Sequence, residues 1–486
     1  MDFKKIVSQY EQQIYDDLVG LINIKSIRED ELKSETTPVG PGPKEALDYM
    51  YKLAKRDGYD VVDVEHIAGH IDFSSGDETI AMLCHVDVVP AGSGWDTDPF
   101  EAVIKEDKII GRGTLDDKGP TIAAYYAAKI LTDLNIEVNK TFRMIIGTDE
   151  ESDWQCTAAY FNHQPMPDLG FAPDADFPLI HGEKGISTFD VMYSMNDITD
   201  EHSVIDDVTV LEVTSGDRYN MVPDQTSVTL RIKEQMTRVI QQFENYIREE
   251  GIEGKAFVDQ GDLILTVNGK SAHGSTPELG HNAMFDMIKF LDTLSVDETF
   301  RPFMEMYKHE WLNNLNGELN DMNYSHEVMG DVSINAGIVR YVRGKQAHVG
   351  VNLRFPTGYS FDYQIEQLRN RLGQTFNIKL NEVQQPHYVD PNDPFVETLL
   401  SAYQNQSGDM TPPFTIGGGT YARTLDKGVA FGAMFNDSED LMHQANEYIS
   451  KKQLLDATAI YLEALYLLNE KSVSYTHLTL PTSDLV

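Results

Sequence analysis

Ile80-Ala81-Met82-Leu83-Cys84-His85-Val86-Asp87 is the stretch on which the reading of this chain turns. An unbroken apolar run suits a strand covered on both faces, as in a parallel sheet, better than a strand with one wet side. The run stops on an imidazole and a carboxylate, which a core does not favour. The same event recurs downstream. Phe142-Arg143-Met144-Ile145-Ile146-Gly147 leads to Asp149-Glu150-Glu151, and Gly170-Phe171-Ala172-Pro173 delivers Asp174. Between them, Gly111 to Gly119 carries Asp116 in a loop that opens a helix, with Pro120 in the first turn, where its missing N–H costs nothing. Ligands of open α/β sheets bind at the carboxyl ends of the strands. The polar clusters are therefore expected to converge on one crevice. An imidazole among several carboxylates there is a donor set for divalent cations, with zinc favoured where His takes part. So many acids brought together without a cation would repel one another.

Composition narrows the function classes. The chain has 486 residues, too many for one ordinary core, so two domains are the default. Its 39 Lys and Arg against 78 Asp and Glu give a net charge of -39, which repels phosphate backbones and anionic lipid. Neither nucleic acid nor a membrane is an expected partner. Two cysteines, Cys84 and Cys156, lie far apart and provide no disulfide framework. With no signal-like start and no apolar run long enough to span a bilayer, a cytoplasmic location is expected.

Along the chain, Ile6, Tyr10, Ile14, Leu18 and Ile22 recur every fourth residue and predict a helix over about 3–27. A second helix should follow Pro41-Gly42-Pro43 and end at Gly58, and strand-like pieces lie near 61–66 and 71–73. From about Ser187 the pattern changes to alternating strands and isolated helices. Val228, Leu230 and Ile232 alternate, Met236 to Ile247 are helical, and Leu263, Leu265 and Val267 alternate again. The order recurs with Val349 to Phe355, Ile365 to Phe376 and Ile378 with Leu380, an internal duplication. Near Gln385-Pro386 the first pattern returns, with a strand over 429–435, His443, and a last helix burying Leu454, Ala457, Tyr461, Leu465 and Leu468. The fold class read from this is α/β: a discontinuous domain of 1–186 and 386–470, which carries the cation donor set, with a mostly parallel sheet flanked by helices. An α+β domain of two similar halves is inserted at 187–385. Residues 471–486 have no period and read as a non-native or disordered tail.

His85-Val86-Asp87, Gly111 to Gly119, Glu150-Glu151, Pro173-Asp174 and His443 stand in the order seen in the aminoacylase/carboxypeptidase G superfamily of dinuclear zinc hydrolases, and the chain resembles that superfamily over about residues 1–470. Pro173-Asp174-Ala175-Asp176-Phe177-Pro178, Ser271-Ala272-His273-Gly274 and the long insertion make it most similar to PepV-type bacterial dipeptidases.

The resemblance implies two zinc ions, for which cobalt or manganese can substitute. Asp116 would bridge them, His85 and Asp174 completing one site and Glu151 and His443 the other. It implies that Asp87 orients His85 and that Glu150 is the general base for a metal-bridging water. It implies further that His273 stabilises the oxyanion, and that Asn220, Arg354 and the Gly417-Gly418-Gly419 run hold a peptide and its free carboxylate. Asp117 reads as a cap before Lys118, and Asp176 is a less favoured substitute for Asp174. His66, His181, His281, His309, His348 and His477 fit surface or structural roles. The activity implied is hydrolysis of unblocked dipeptides by a monomer. The alternatives are a deacylase of N-acyl or N-succinyl amino acids on the same scaffold, a non-catalytic metal-binding relative, and a two-metal phosphoesterase, disfavoured by the lack of a basic cluster.

Overall fold

The strand Thr79–His85 holds the run that opened the reading, buried from Ile80 onward. The computed structural model describes residues 1–134, 136–195 and 207–470, so the tail 471–486 lies outside the described residues. The chain is mixed α/β and its described residues divide into two compact units: 1–182 with 389–414 and the residues from 420 on, and 183–388 with 415–419.

In the first unit the strands run in the order Asp60–Val64, Ala68–Asp72, Thr141–Gly147, Thr79–His85, Leu169–Ala172, Gly428–Ala430 and Ile180–Glu183. Thr79–His85 is parallel to Thr141–Gly147 and to Leu169–Ala172, which is parallel to Gly428–Ala430. The flanking pairings are antiparallel. The continuous apolar runs thus occupy the parallel centre, where both faces are covered.

The helix foreseen over about 3–27 is two, Phe3–Val7 and Glu11–Ile22. Ser8 turns its hydroxyl back to the Lys5 carbonyl at 2.8 Å, a local bond that competes with helix propagation. The four-residue spacing survives the break, although Ile6 and Tyr10 are only partly buried. The helix expected after Pro41-Gly42-Pro43 instead starts at Pro41, Pro41–Asp57, because prolines are tolerated in a first turn whose N–H groups are unpaired, and it stops as read at Gly58 in the left-handed region. Lys118–Asp133 and Lys451–Glu470 share one core with Glu11–Ile22. The strand foreseen over 429–435 is interrupted: Gly428–Ala430 and Ala433–Met434 are separated at Gly432, whose φ is +77°. A Cβ there would come within 2.2 Å of the Phe177 ring, so only glycine fits.

The second unit is built on one antiparallel sheet. Its order is Glu253–Asp259, Asp262–Asn268, Gln225–Ile232, Val208–Ser215, Ser333–Val342, Gln346–Phe355, Gly185–Tyr193 and Phe376–Gln384. Read outward from the central pair Val208–Ser215 and Ser333–Val342, each half continues with its hairpin partner, and each outermost strand follows a helix, Met236–Glu250 or Phe361–Leu372. The third place is filled by the last strand of one half, Asp262–Asn268, but by a strand that precedes everything else, Gly185–Tyr193, in the other. The duplication is therefore permuted. The segment Thr415–Gly419 joins this unit although the sequence pattern assigned it to the other. Lys184 donates its backbone N–H to the Ile416 carbonyl at 3.1 Å, and Arg354 Nη1 donates to the Gly417 carbonyl at 3.1 Å.

Candidate metal centre and substrate-binding groups

Each acid or imidazole at the centre of the first unit is placed by the end of a buried strand or by a loop tied to one. His85 closes its strand, and its Nδ1 lies 3.1 Å from the Asp87 carbonyl. A carbonyl only accepts, so Nδ1 carries a proton and Nε2 is the atom turned to the acids, free to bind a cation once its own proton is given up. Nε2 lies 3.0 Å from Asp116 Oδ1 and 3.6 Å from Asp174 Oδ2. On the other side, His443 Nε2 lies 2.8 Å from Asp116 Oδ2 and 3.2 Å from Glu151 Oε1. Asp116 thus turns one oxygen to each imidazole. The ligating atoms fall into two groups that share it, His85 with Asp116 and Asp174, and Asp116 with Glu151 and His443, all within 4.8 Å of one another in each group.

Two observations test whether cations suit these groups. His85 Nε2 and Asp116 Oδ1 are buried, and neither has an aligned hydrogen-bond partner, a costly state unless something else binds them. The acids also oppose one another. Burial pushes Glu151 up to about 7, and burial together with Asp116 raises Asp174. Burial raises Glu150 well above the usual carboxylate range, against the pull of His85. Asp116 and Glu151 hold His443 at about 10, while burial resists protonation of His85 but Asp116, Asp174 and Asp87 overcome it. Divalent cations would relieve every one of these conflicts, and the donors of both groups, imidazole and carboxylate, fit zinc.

The surrounding groups fix this arrangement. Asp87 accepts the backbone N–H of Glu150 at Oδ1 and that of Glu151 at Oδ2, both at 3.1 Å, and its Oδ1 lies 3.4 Å from His85 Nδ1. Asp149 accepts Arg28 Nη1 at 2.8 Å and the Gln155 N–H at 3.0 Å, which anchors the same turn. Asp117 occupies the cap position of its helix but makes no capping bond. Its Oδ2 instead accepts the His85 N–H at 3.1 Å and the Thr121 hydroxyl at 3.0 Å, so it supports the end of the His85 strand. Asp176 is exposed and belongs to neither ligating group, and of the remaining histidines His181 is buried with Nδ1 2.7 Å from the Val389 carbonyl. His477 lies outside the described residues.

In the second unit the foreseen substrate groups lie together. The Gly274 N–H donates to the Asn220 carbonyl at 2.7 Å, which ties the His273 turn to Asn220. The Ser275 N–H donates to His273 Nδ1 at 3.2 Å, so Nδ1 is an acceptor and the ring proton sits on Nε2. Burial, and then Arg354, lower the His273 pKa, which keeps the ring neutral. Arg354 is held by Asn352 Oδ1 at 2.9 Å and the Gly417 carbonyl at 3.1 Å. Gly417 packs on Ser275, where a Cβ would come within 2.7 Å of the serine Cβ, and this brings Gly418 beside the same cluster.

Residues 81–467 match the description of peptidase family M20/M25/M40. The chain belongs to that family. A Staphylococcus epidermidis protein named "Putative dipeptidase" is 54% identical over 467 residues, covering 96% of this chain and 99% of the relative. A Staphylococcus aureus protein of the same description is 54% identical over 465 residues, covering 96% and 98%. Among solved structures, the aminoacylhistidine dipeptidase from Vibrio alginolyticus has a TM-score of 0.58 at 13% identity, covering 94% of this chain and 96% of that one. A Staphylococcus aureus tripeptidase has 0.54 at 13%, covering 95% and 99%. Both share the fold of this M20 peptidase.

The sequence did not reveal three buried charges around the M20 centre. Lys118 donates Nζ to the carbonyls of Leu21 and Ile24 at 3.0 and 2.8 Å. Arg112 pairs with Glu447 at 2.6 Å. An isolated Arg or Glu in a polar stretch reads as solvated surface, and only its tertiary partners show otherwise. Among the described residues no helix is long and apolar enough to cross a membrane.

Proposed function

We propose that this M20 peptidase hydrolyses the amide bond of unblocked dipeptides, with two zinc ions held by His85, Asp116, Asp174, Glu151 and His443. The observation that carries this is Asp116, one carboxylate turned to two imidazoles with an acid completing each group. The cations would supply Lewis acidity and lower the pKa of an attacking water. Glu150 would take the proton from the attacking water and return it to the leaving amine, a task suited to a carboxylate that burial holds above the usual carboxylate range. Asp87 fixes the turn that carries Glu150. His273 donates its Nε2–H to the oxygen that becomes negative, and Asn220, Arg354 and Gly418 hold the peptide with its free carboxylate. The naming of relatives 54% identical over nearly their whole length supports the dipeptide class. The duplicated sheet supports a single chain as the working unit, and the two buried free thiols suit a cytoplasmic location.

The test is a panel assayed with zinc-loaded protein: free dipeptides, a tripeptide, and acetylated and succinylated amino acids. Hydrolysis of the dipeptides above all others is expected. Cleavage confined to the acylated compounds would assign a deacylase in its place.

A further inference from the structure

The loop that carries Asp116 and the segment that carries His443 are far apart in sequence, yet one carboxylate fastens them together. Glu447 is fully buried. Its Oε1 accepts the backbone N–H of Leu115 at 2.8 Å, of Gly113 at 3.1 Å and, at the limit of a bond, of Asp116 at 3.4 Å. Its Oε2 takes Arg112 Nη1 at 2.6 Å, and its own carbonyl accepts the Gly111 N–H at 3.0 Å. Arg112 reaches on to the Ala91 carbonyl at 3.2 Å and lies over the Trp95 ring. His443, four residues earlier, is half-exposed and sits at φ +63°, with no strand of its own to hold it. The segment is tied down just after it, at Asn446, whose Oδ1 accepts the Asp96 N–H at 2.9 Å, at Glu447, and at Tyr448–Ser450, which pairs with Lys108–Ile110; of these, Glu447 alone receives the amides of the Asp116 loop.

We propose that Glu447 is a positioning residue for the second of the two cation groups, Asp116 with Glu151 and His443. By receiving the amides of the Asp116 loop it sets the gap between Asp116 Oδ2 and His443 Nε2. The first group depends on it less, because His85 comes from the end of a central strand and Asp174 follows another. The inference rests on the metal-centre reading above. Outer groups that orient ligands contribute about 10- to 100-fold in metal affinity, and here that loss should fall on one of two cations.

The experiment compares two variants of the full chain that both remove the buried ion pair, so that no guanidinium is left stranded. Arg112→Met with Glu447→Gln keeps an oxygen to accept the loop amides; Arg112→Met with Glu447→Leu does not. Stripped protein is titrated with Zn2+ against a chromophoric chelator, and the two stepwise affinities are read. Urea midpoints of both variants are recorded alongside. The Gln variant should bind both cations within about threefold of the parent, and the Leu variant should lose about 10- to 100-fold at the weaker step alone. Equal affinities in the two variants, or a Leu variant weakened equally at both steps, would overturn the proposal. A parent that binds no pair of cations would instead overturn the reading of the metal centre itself.

Discussion

Replacing Asp87 by Asn tests the centre without touching a ligand. The carboxylate receives two backbone N–H groups, from Glu150 and Glu151, each at 3.1 Å, and faces His85 Nδ1 at 3.4 Å. Asn keeps one acceptor oxygen. Its amide group must then point two hydrogens at the second N–H, so one charge-assisted bond is lost and one donor is left opposed. A bond of that kind contributes about 1.5–3 kcal/mol. Because the turn so released carries both the proposed base and a proposed ligand, about 2–3 kcal/mol should appear in the barrier, a fall of about 30- to 150-fold in kcat/KM. The assay is steady-state hydrolysis of a free dipeptide, with zinc content and urea midpoint measured on the same preparation. A kcat/KM within about threefold of the parent would refute the reasoning, since it would mean that Glu150 and Glu151 hold their places without Asp87.

Other expectations follow from the same geometry. Glu150→Gln should retain two zinc ions per chain, by elemental analysis, while kcat falls about a hundred- to ten-thousandfold; a variant that has lost metal would make Glu150 a ligand. His273→Ala should lower kcat by about a hundredfold or more with little change in KM, and an unchanged kcat would remove it from the reaction. A third concerns stability. Burial, and then Arg143, hold His70 at about 4, where its Nδ1 accepts the Tyr160 hydroxyl at 2.9 Å. The folded value lies below the unfolded one, so this stabilisation is complete above about pH 6.5 and is lost as the pH falls towards 4, about 2 kcal/mol of it by pH 5. The stability of the parent relative to His70→Gln, from urea unfolding at about pH 7.5 and about pH 5, should shrink by that amount. A constant difference would show that His70 titrates normally.

The centre was legible in the sequence because its residues interrupt patterns. Apolar runs that end on His85, Glu150 and Asp174 announce strand ends, and strand ends in a parallel sheet face one crevice. The family order supplied Asp116 and His443, which the structure brings together in the second of the two cation groups. What the sequence concealed were residues whose role depends on a distant partner. Lys118, Arg112 and Glu447 are fully buried, yet nothing in their neighbours separates them from surface charges. The break at Ser8 left the helical spacing intact and so went unseen. Gly432 interrupts a strand only because Phe177 lies against it. The permuted duplication was hidden for a different reason. The strand Glu253–Asp259 is an edge, largely exposed, and carries too few apolar residues to show a period. The pattern therefore paired Phe376–Gln384 with Asp262–Asn268, whereas its structural counterpart is Glu253–Asp259.

That permuted sheet has a consequence for how this chain can change. A sheet assembled from two separate copies receives every substitution twice, once on each side of the axis. Here the sides are different stretches of a single polypeptide, so each accumulates substitutions alone. His273 follows the last strand of one side, and Arg354 lies on a strand of the other. If the proposed roles hold, one side can specialise in handling the reacting oxygen and the other in gripping a carboxylate, a division of labour that a symmetric pair could not encode.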